Sequence, residues 1–108
     1  ATSCLSSLME EAACKALSTA RLVTGYSSVG SRMDVCHKKP SALGAKLTAI
    51  ARVEDVDLEG IHFEIEAFDE TGLVGTAHHK RVFVNSREYE KRCYERARKA
   101  DLQEKETL

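Results

Sequence analysis

Few side chains of this 108-residue chain combine a reactive type with a telling position. Thr2, Glu10 and His37 offer a hydroxyl, a carboxylate and an imidazole, the parts from which nucleophilic or acid–base catalysis is built. Each also has a plain structural reading. Thr2 stands where a helix N-cap is wanted, a common duty of threonine. Glu10 falls well off the centre of its helix's apolar stripe and Glu11 about equally far off on the other side, so periodicity alone reads both as solvated acids. His37 is in phase with apolar side chains at the end of a strand pattern, which fits a satisfied strand-end histidine or a functional one. Gly30 reads as a β-bulge or a close backbone approach. His78 and His79 invite a metal, yet neighbours on a strand point to opposite faces, and Cys36 beside His37 fails for the same reason. No three or four ligands fall at a recognised spacing, so no metal is expected.

The elements that must position these groups are legible from periodicity. In residues 2–17, Leu5, Leu8, Met9, Ala12, Ala13, Ala16 and Leu17 recur at steps of three and four, the mark of one helical stripe. Residues 18–25 read as a short polar connection with Gly25 free to turn. Strand patterns follow at 28–37, ended by Lys38, Lys39 and Pro40, and at 42–56, where Leu43, Ala45, Leu47, Ala49, Ala51 and Val53 share one side. Ile61, Phe63, Ile65 and Ala67 mark the next strand, with turns at 57–60 and 69–72. In 73–84, Leu73, Gly75, Ala77, His79, Arg81 and Phe83 alternate against Val74, Thr76, His78, Lys80, Val82 and Val84. Both of its faces are mixed, as in a central strand with a functional face or a strand at a subunit contact. Asn85 with Glu88 resembles a capping box opening a polar helix over 85–108, expected to be weakly docked.

Composition narrows the field. The length fits a single domain over residues 1–108. Sixteen Lys and Arg against 17 Asp and Glu leave a net charge of -1, no reason to expect nucleic acid or an anionic membrane as partner. No apolar run approaches the roughly 20 residues that cross a bilayer, and no signal-peptide pattern opens the chain. Cys4 and Cys14 on one helix would be about 15 Å apart, too far to bridge, so reduced thiols and a cytoplasmic location are the expectation. The chain starts at Ala1 and enters the helix almost at once, so an upstream segment is expected to have been cut away or never included.

One greasy helix, four antiparallel strands and a polar terminal helix make an α+β order that suits a hot-dog domain, a sheet wrapped around one long central helix. The runs ATSCLSSLMEEAACKAL, SSVGSRMDVCHKKPSALGAKLTAIARV and FEIEAFDETGLVGTAHHKRVFV resemble the hot-dog thioesterase family that includes fluoroacetyl-CoA thioesterase, over about Ala1 to Val84. The resemblance implies a homodimer, or a dimer of dimers, with active sites at the subunit interface hydrolysing an acyl-CoA thioester. Coenzyme A enters as part of the substrate, and no cofactor is implied. Thr2, Glu10 and His37 match the family's catalytic threonine, glutamate and histidine. Gly30 and Arg81, the latter in the HHKR segment that matches the family's T-H-E-R, are carried over as substrate-binding residues. Lys38 and Lys39 are candidates for the coenzyme A phosphates.

Three departures shape the expectation. Lys80 replaces the glutamate of T-H-E-R. The aromatic lid that the family's fluoroacetyl enzyme carries upstream of the threonine falls before the start of this chain, so the narrow fluoroacetyl substrate is not carried over. The fold's usual first strand is also missing, leaving four strands where five are expected. Two chemistries stay open: His37, oriented by Glu10, activating Thr2 for attack, or Glu10 itself activating water or attacking. The alternative from another class is a non-catalytic acyl-CoA-binding or dimerisation hot-dog module. A hot-dog hydratase is disfavoured, because the aspartate and histidine such enzymes place before the helix are not seen.

Overall fold

The stripe of small and branched residues in the first helix sets the architecture, because its apolar face must be covered. The structure, a computed structural model, describes residues 2–18 and 25–107, of which 101–107 by backbone alone. Its elements run α1 (Thr2–Ser18), β1 (Tyr26–His37), β2 (Thr48–Val56), β3 (Gly60–Asp69), β4 (Gly72–Asn85) and α2 (Ser86–Thr107). The strands form one antiparallel sheet in the order β1-β4-β3-β2, packed against α1 as the hot-dog expectation requires. Leu5, Met9, Ala13 and Leu17, one turn apart, are buried against Ile61, Phe63, Ile65 and Ala67 of β3 and Val74 and Ala77 of β4. Each large side chain buried there contributes about 1.5–3 kcal/mol. Met33, Val35, Leu47, Ala49, Ala51 and Phe83 close around this core.

Three bulges break the regular alternation. Ser31 is the extra residue between Gly30, paired with Arg81, and Arg32, paired with Lys80. Val74 is left out between the Ala67–Gly75 and Phe68–Leu73 pairs and is buried in the core, so that face of β4 is not the one its alternation predicts. Glu54 is left out between the Val53–Phe63 and Asp55–His62 pairs. The strand expected over 42–56 is also shortened. β2 starts at Thr48, because β3 offers it no partner beyond Phe68. The chain before it turns instead at Gly44, whose φ of +80° suits glycine, with Ala45 N–H donating to the Ala42 carbonyl at 2.9 Å. Leu43 is left wholly exposed and Val53 more than half exposed.

The expected turns at 57–60 and 69–72 are each built on one aspartate. The Asp57 carboxylate accepts the N–H groups of Glu59 (2.9 Å) and Gly60 (3.0 Å). The Asp69 carboxylate accepts from the Thr71 N–H and hydroxyl and from Gly72 N–H, at 2.8, 2.7 and 3.1 Å. These bonds hold both carboxyls below the ordinary value of 3.8, chiefly through Gly60 N–H for Asp57 and the Thr71 hydroxyl for Asp69. A carboxyl depressed by folding contributes stability that is fully present above its unfolded value and is lost as pH falls through the folded one. The urea midpoint is therefore expected to fall as pH drops below about 4. The double variant Asp57→Asn, Asp69→Asn should show a shallower fall, and an unchanged acid profile would contradict this account of the turns.

The start of α2 carries the expected cap, with Glu88 N–H donating to the Asn85 side-chain oxygen at 3.1 Å. From Arg87 to Ala100 the helix is exposed. Residues 19–24, most of the connection read at 18–25, lie outside the described residues. Among the described residues no helix is long and apolar enough to cross a membrane.

Candidate active site

The bulge in β1 decides which side chains share a face. The alternation puts Val29 and Ser31 with Met33, but the extra residue re-phases the strand. Ser28 and Gly30 therefore turn toward α1 together with Met33 and Val35. A Cβ at Gly30 would lie 3.2 Å from His79 Cε1, 3.5 Å from Glu10 Oε1 and 3.6 Å from the Arg81 Nη1. Gly30 is thus the wall against which three polar side chains gather, a common use of bulges and strand glycines.

Arg81, only 7% exposed, is held at both ends. Its Nε donates to the Ser28 hydroxyl at 3.0 Å and its Nη2 to the Ser28 carbonyl at 3.1 Å. Its Nη1 faces His79 Nε2 at 3.4 Å and Glu10 Oε1 at 3.6 Å. A buried guanidinium needs such partners. Glu10, its side chain 54% exposed, reaches over from α1. With Gly30, Ser31, Arg32, Met33 and His79 it lines an open cleft of about 230 Å³.

Thr2 and His37 meet elsewhere. Thr2 Oγ1 lies 3.2 Å from His37 Nδ1, where the start of α1 passes the end of β1, and both residues are exposed. Lys38 and Lys39 follow directly, exposed, with both backbone N–H groups donating to the Val74 carbonyl at 2.8 and 3.1 Å. Thr2 is about 12 Å along the helix axis from Glu10, and His37 is roughly 20 Å along the strand from Gly30. One protomer thus brings Glu10, Gly30 and Arg81 together and Thr2 with His37, but keeps the two groups apart.

Ser28, not singled out in the sequence, and His79, weighed there only as a metal ligand, join the site. The available signal for His79 was its place two residues before Arg81 on one face of β4. His78 points away, 3.4 Å from Glu54, and Lys80, the departure from T-H-E-R, is bound to Glu59 at 2.9 Å. Neither enters the cleft. Among the described residues no three His, Cys, Asp or Glu side chains could hold a metal ion.

The family model of FlK, the fluoroacetyl-CoA-specific thioesterase, matches residues 1–87. The chain belongs to that family. Its structure is similar to that of a thioesterase superfamily member from Thermus thermophilus, at 22% identity and a TM-score of 0.89, over 94% of this chain and 74% of that one. It is similar also to the fluoroacetyl-CoA thioesterase FlK, at 23% identity and a TM-score of 0.80, over 88% and 70%. A hot-dog-like protein from Thermanaerovibrio acidaminovorans is 31% identical with a TM-score of 0.71, over 81% and 66%. No curated protein sequence matches the chain. These likenesses establish the hot-dog fold, and the chain spans about two thirds to three quarters of the length of these relatives.

Proposed function

We propose that this hot-dog protein is an acyl-CoA thioesterase, releasing a free acid and coenzyme A, and that its working unit is a homodimer. The observation that carries the reading is the Glu10–Arg81–His79 cluster facing Gly30 across an open cleft, on a chain of the fluoroacetyl-CoA-specific thioesterase family. Relatives support the ligand class: an FlK variant was crystallised with fluoroacetate and CoA, another with acetyl-CoA, and a Bacillus halodurans protein with CoA.

The separation of the two groups supports the dimer. β1 is an edge strand, with a row of main-chain donors and acceptors that a second strand can pair. Antiparallel pairing of two β1 strands about a two-fold axis near Met33 and Asp34 sets the partner's His37 beside Gly30. Glu10 of one protomer then meets the hydroxyl–imidazole pair of the other, and each dimer holds two complete sites.

In this reading the thioester carbonyl lies against Gly30, whose N–H donates to the oxyanion as it forms. Glu10 takes a proton from the attacking water, a C–O bond forms, and the C–S bond breaks. Coenzyme A leaves as a thiolate that is protonated from Glu10, and the carboxylic acid formed gives up its remaining proton to solvent and departs as a carboxylate. The 3.2 Å contact of Thr2 with His37 favours a second route, in which His37 takes the Thr2 proton and an acyl-threonine forms before water enters. Rapid quenching and mass spectrometry decide between the routes: an acyl group on Thr2 during turnover belongs only to the second.

The function is tested by thiol release from a panel of acyl-CoAs. Release by the wild type and its loss in Glu10→Ala supports the thioesterase. A folded, dimeric protein that releases thiol from no chain length is instead the acyl-CoA-binding or dimerisation module. The location of Lys38 and Lys39 beside His37 adds a substrate prediction. Replacing both by alanine should raise the Michaelis constant for acyl-CoA about fivefold, the scale of an exposed charge pair, and spare a short acyl-pantetheine. Equal effects on both substrates would refute a phosphate role.

A further inference from the structure

We propose that His79 is a positioning residue, which sets the direction of the Arg81 Nη1 and through it the Glu10 carboxylate. The inference rests on the thioesterase reading for its kinetic consequence and on geometry for the rest. His79 is 3% exposed. Its Nδ1 lies 2.8 Å from the carbonyl of Arg32, the residue that follows the extra residue of the β1 bulge. A carbonyl accepts only, so Nδ1 carries the proton, and in the neutral ring Nε2 is left as an acceptor. That acceptor faces Arg81 Nη1 at 3.4 Å.

The ring is fixed in its other directions too. It stacks on the fully buried Phe63, with centroids 6.2 Å apart and planes 29° from parallel, and its Cε1 closes against Gly30. The other two guanidinium nitrogens are occupied by Ser28. Nη1 is therefore the one part of Arg81 turned to Glu10, and its angle is set from behind by His79. The chain of contact runs from the Arg32 carbonyl through the imidazole to the guanidinium and the carboxylate. The bulge that opens the cleft is thereby tied to the group proposed to do the chemistry there.

The test uses two substitutions. His79→Phe keeps a ring against Phe63 but removes both nitrogens. His79→Gln restores an acceptor at a similar reach. His79→Phe is expected to lower kcat at least about tenfold, since small misplacements of a reacting group are costly, with KM changed less than about twofold. His79→Gln should recover most of kcat. In a Glu10→Gln background His79→Phe should change the residual rate less than about twofold, because the two act as one unit. An equal loss in both backgrounds, or unchanged kcat in His79→Phe, overturns the proposal.

A second readout is independent of turnover. Nitrogen NMR should show slowed rotation of the Arg81 guanidinium in the wild type and in His79→Gln, and faster rotation in His79→Phe, where only the two bonds to Ser28 remain. Equal restraint in all three overturns the inference. If the guanidinium behaves as expected but no acyl-CoA is hydrolysed by the wild type, the thioesterase reading is what has failed.

Discussion

Glu10→Gln is expected to lower the rate of thiol release from acyl-CoA by about 10²–10⁴-fold, the range for a lost general base, with the fold intact. The fold should survive because Glu10 is more than half exposed and contributes nothing to the apolar core. Glutamine is the sharper substitution than alanine, since its amide oxygen still gives the Arg81 Nη1 an acceptor. Arg81 also keeps its two bonds to Ser28. Burying a guanidinium with a partner removed would itself be destabilising, and a loss of activity from that cause would say nothing about chemistry. The measurement is steady-state thiol release, alongside a thermal melt. If kcat falls less than about threefold while the melt is unchanged, Glu10 is the solvated acid that helical periodicity suggested. In that case Thr2 and His37 carry the reaction.

Gly60→Ala should be the most damaging small substitution in the sheet. A methyl there would overlap the Arg81 carbonyl oxygen and come within 2.9 Å of Arg81 C and Val82 Cα. All three are main-chain atoms of β4, so relief requires the β3–β4 ladder to part where Gly60 pairs with Val82 and Ile61 with Arg81. The same glycine anchors the preceding turn, with its N–H on the Asp57 carboxylate at 3.0 Å and its carbonyl accepting from Asp57 N–H at 3.0 Å. A loss on the order of 3 kcal/mol or more is expected from such overpacking. Urea unfolding would show it as a lower midpoint. A change under about 0.5 kcal/mol would mean that the two strands can separate freely at this point. Because the displaced backbone belongs to Arg81, the cleft should be disturbed in whatever fraction still folds.

These two positions show what each level of description supplies. Leu5, Met9, Ala13 and Leu17 on the helix, and Ile61, Phe63, Ile65 and Ala67 on β3, were legible from spacing alone and form the core. Both periods are local properties of the backbone, so a run of residues declares them without help from the rest of the chain. The two aspartate-built turns were legible too, because turn residues act on neighbours within a few positions. The stretch 42–47 has the alternation of a strand yet is not one, since a strand needs a partner and β3 does not extend beside it.

For the cleft, residue types and family likeness pointed to Thr2, Glu10, His37, Gly30 and Arg81, while periodicity left Glu10 a surface acid. The sequence by itself determined the stripe of α1, the apolar face of β3, the turns and the class of fold. Only the tertiary structure decided that Gly30 faces Glu10 and that Arg81 rests on His79 and Ser28. It also decided that Thr2 and His37 meet a strand's length away from them. The physical reason is the one extra residue at Ser31: a bulge exists only relative to the strand it pairs with, and a shift of one residue turns every later side chain to the opposite face.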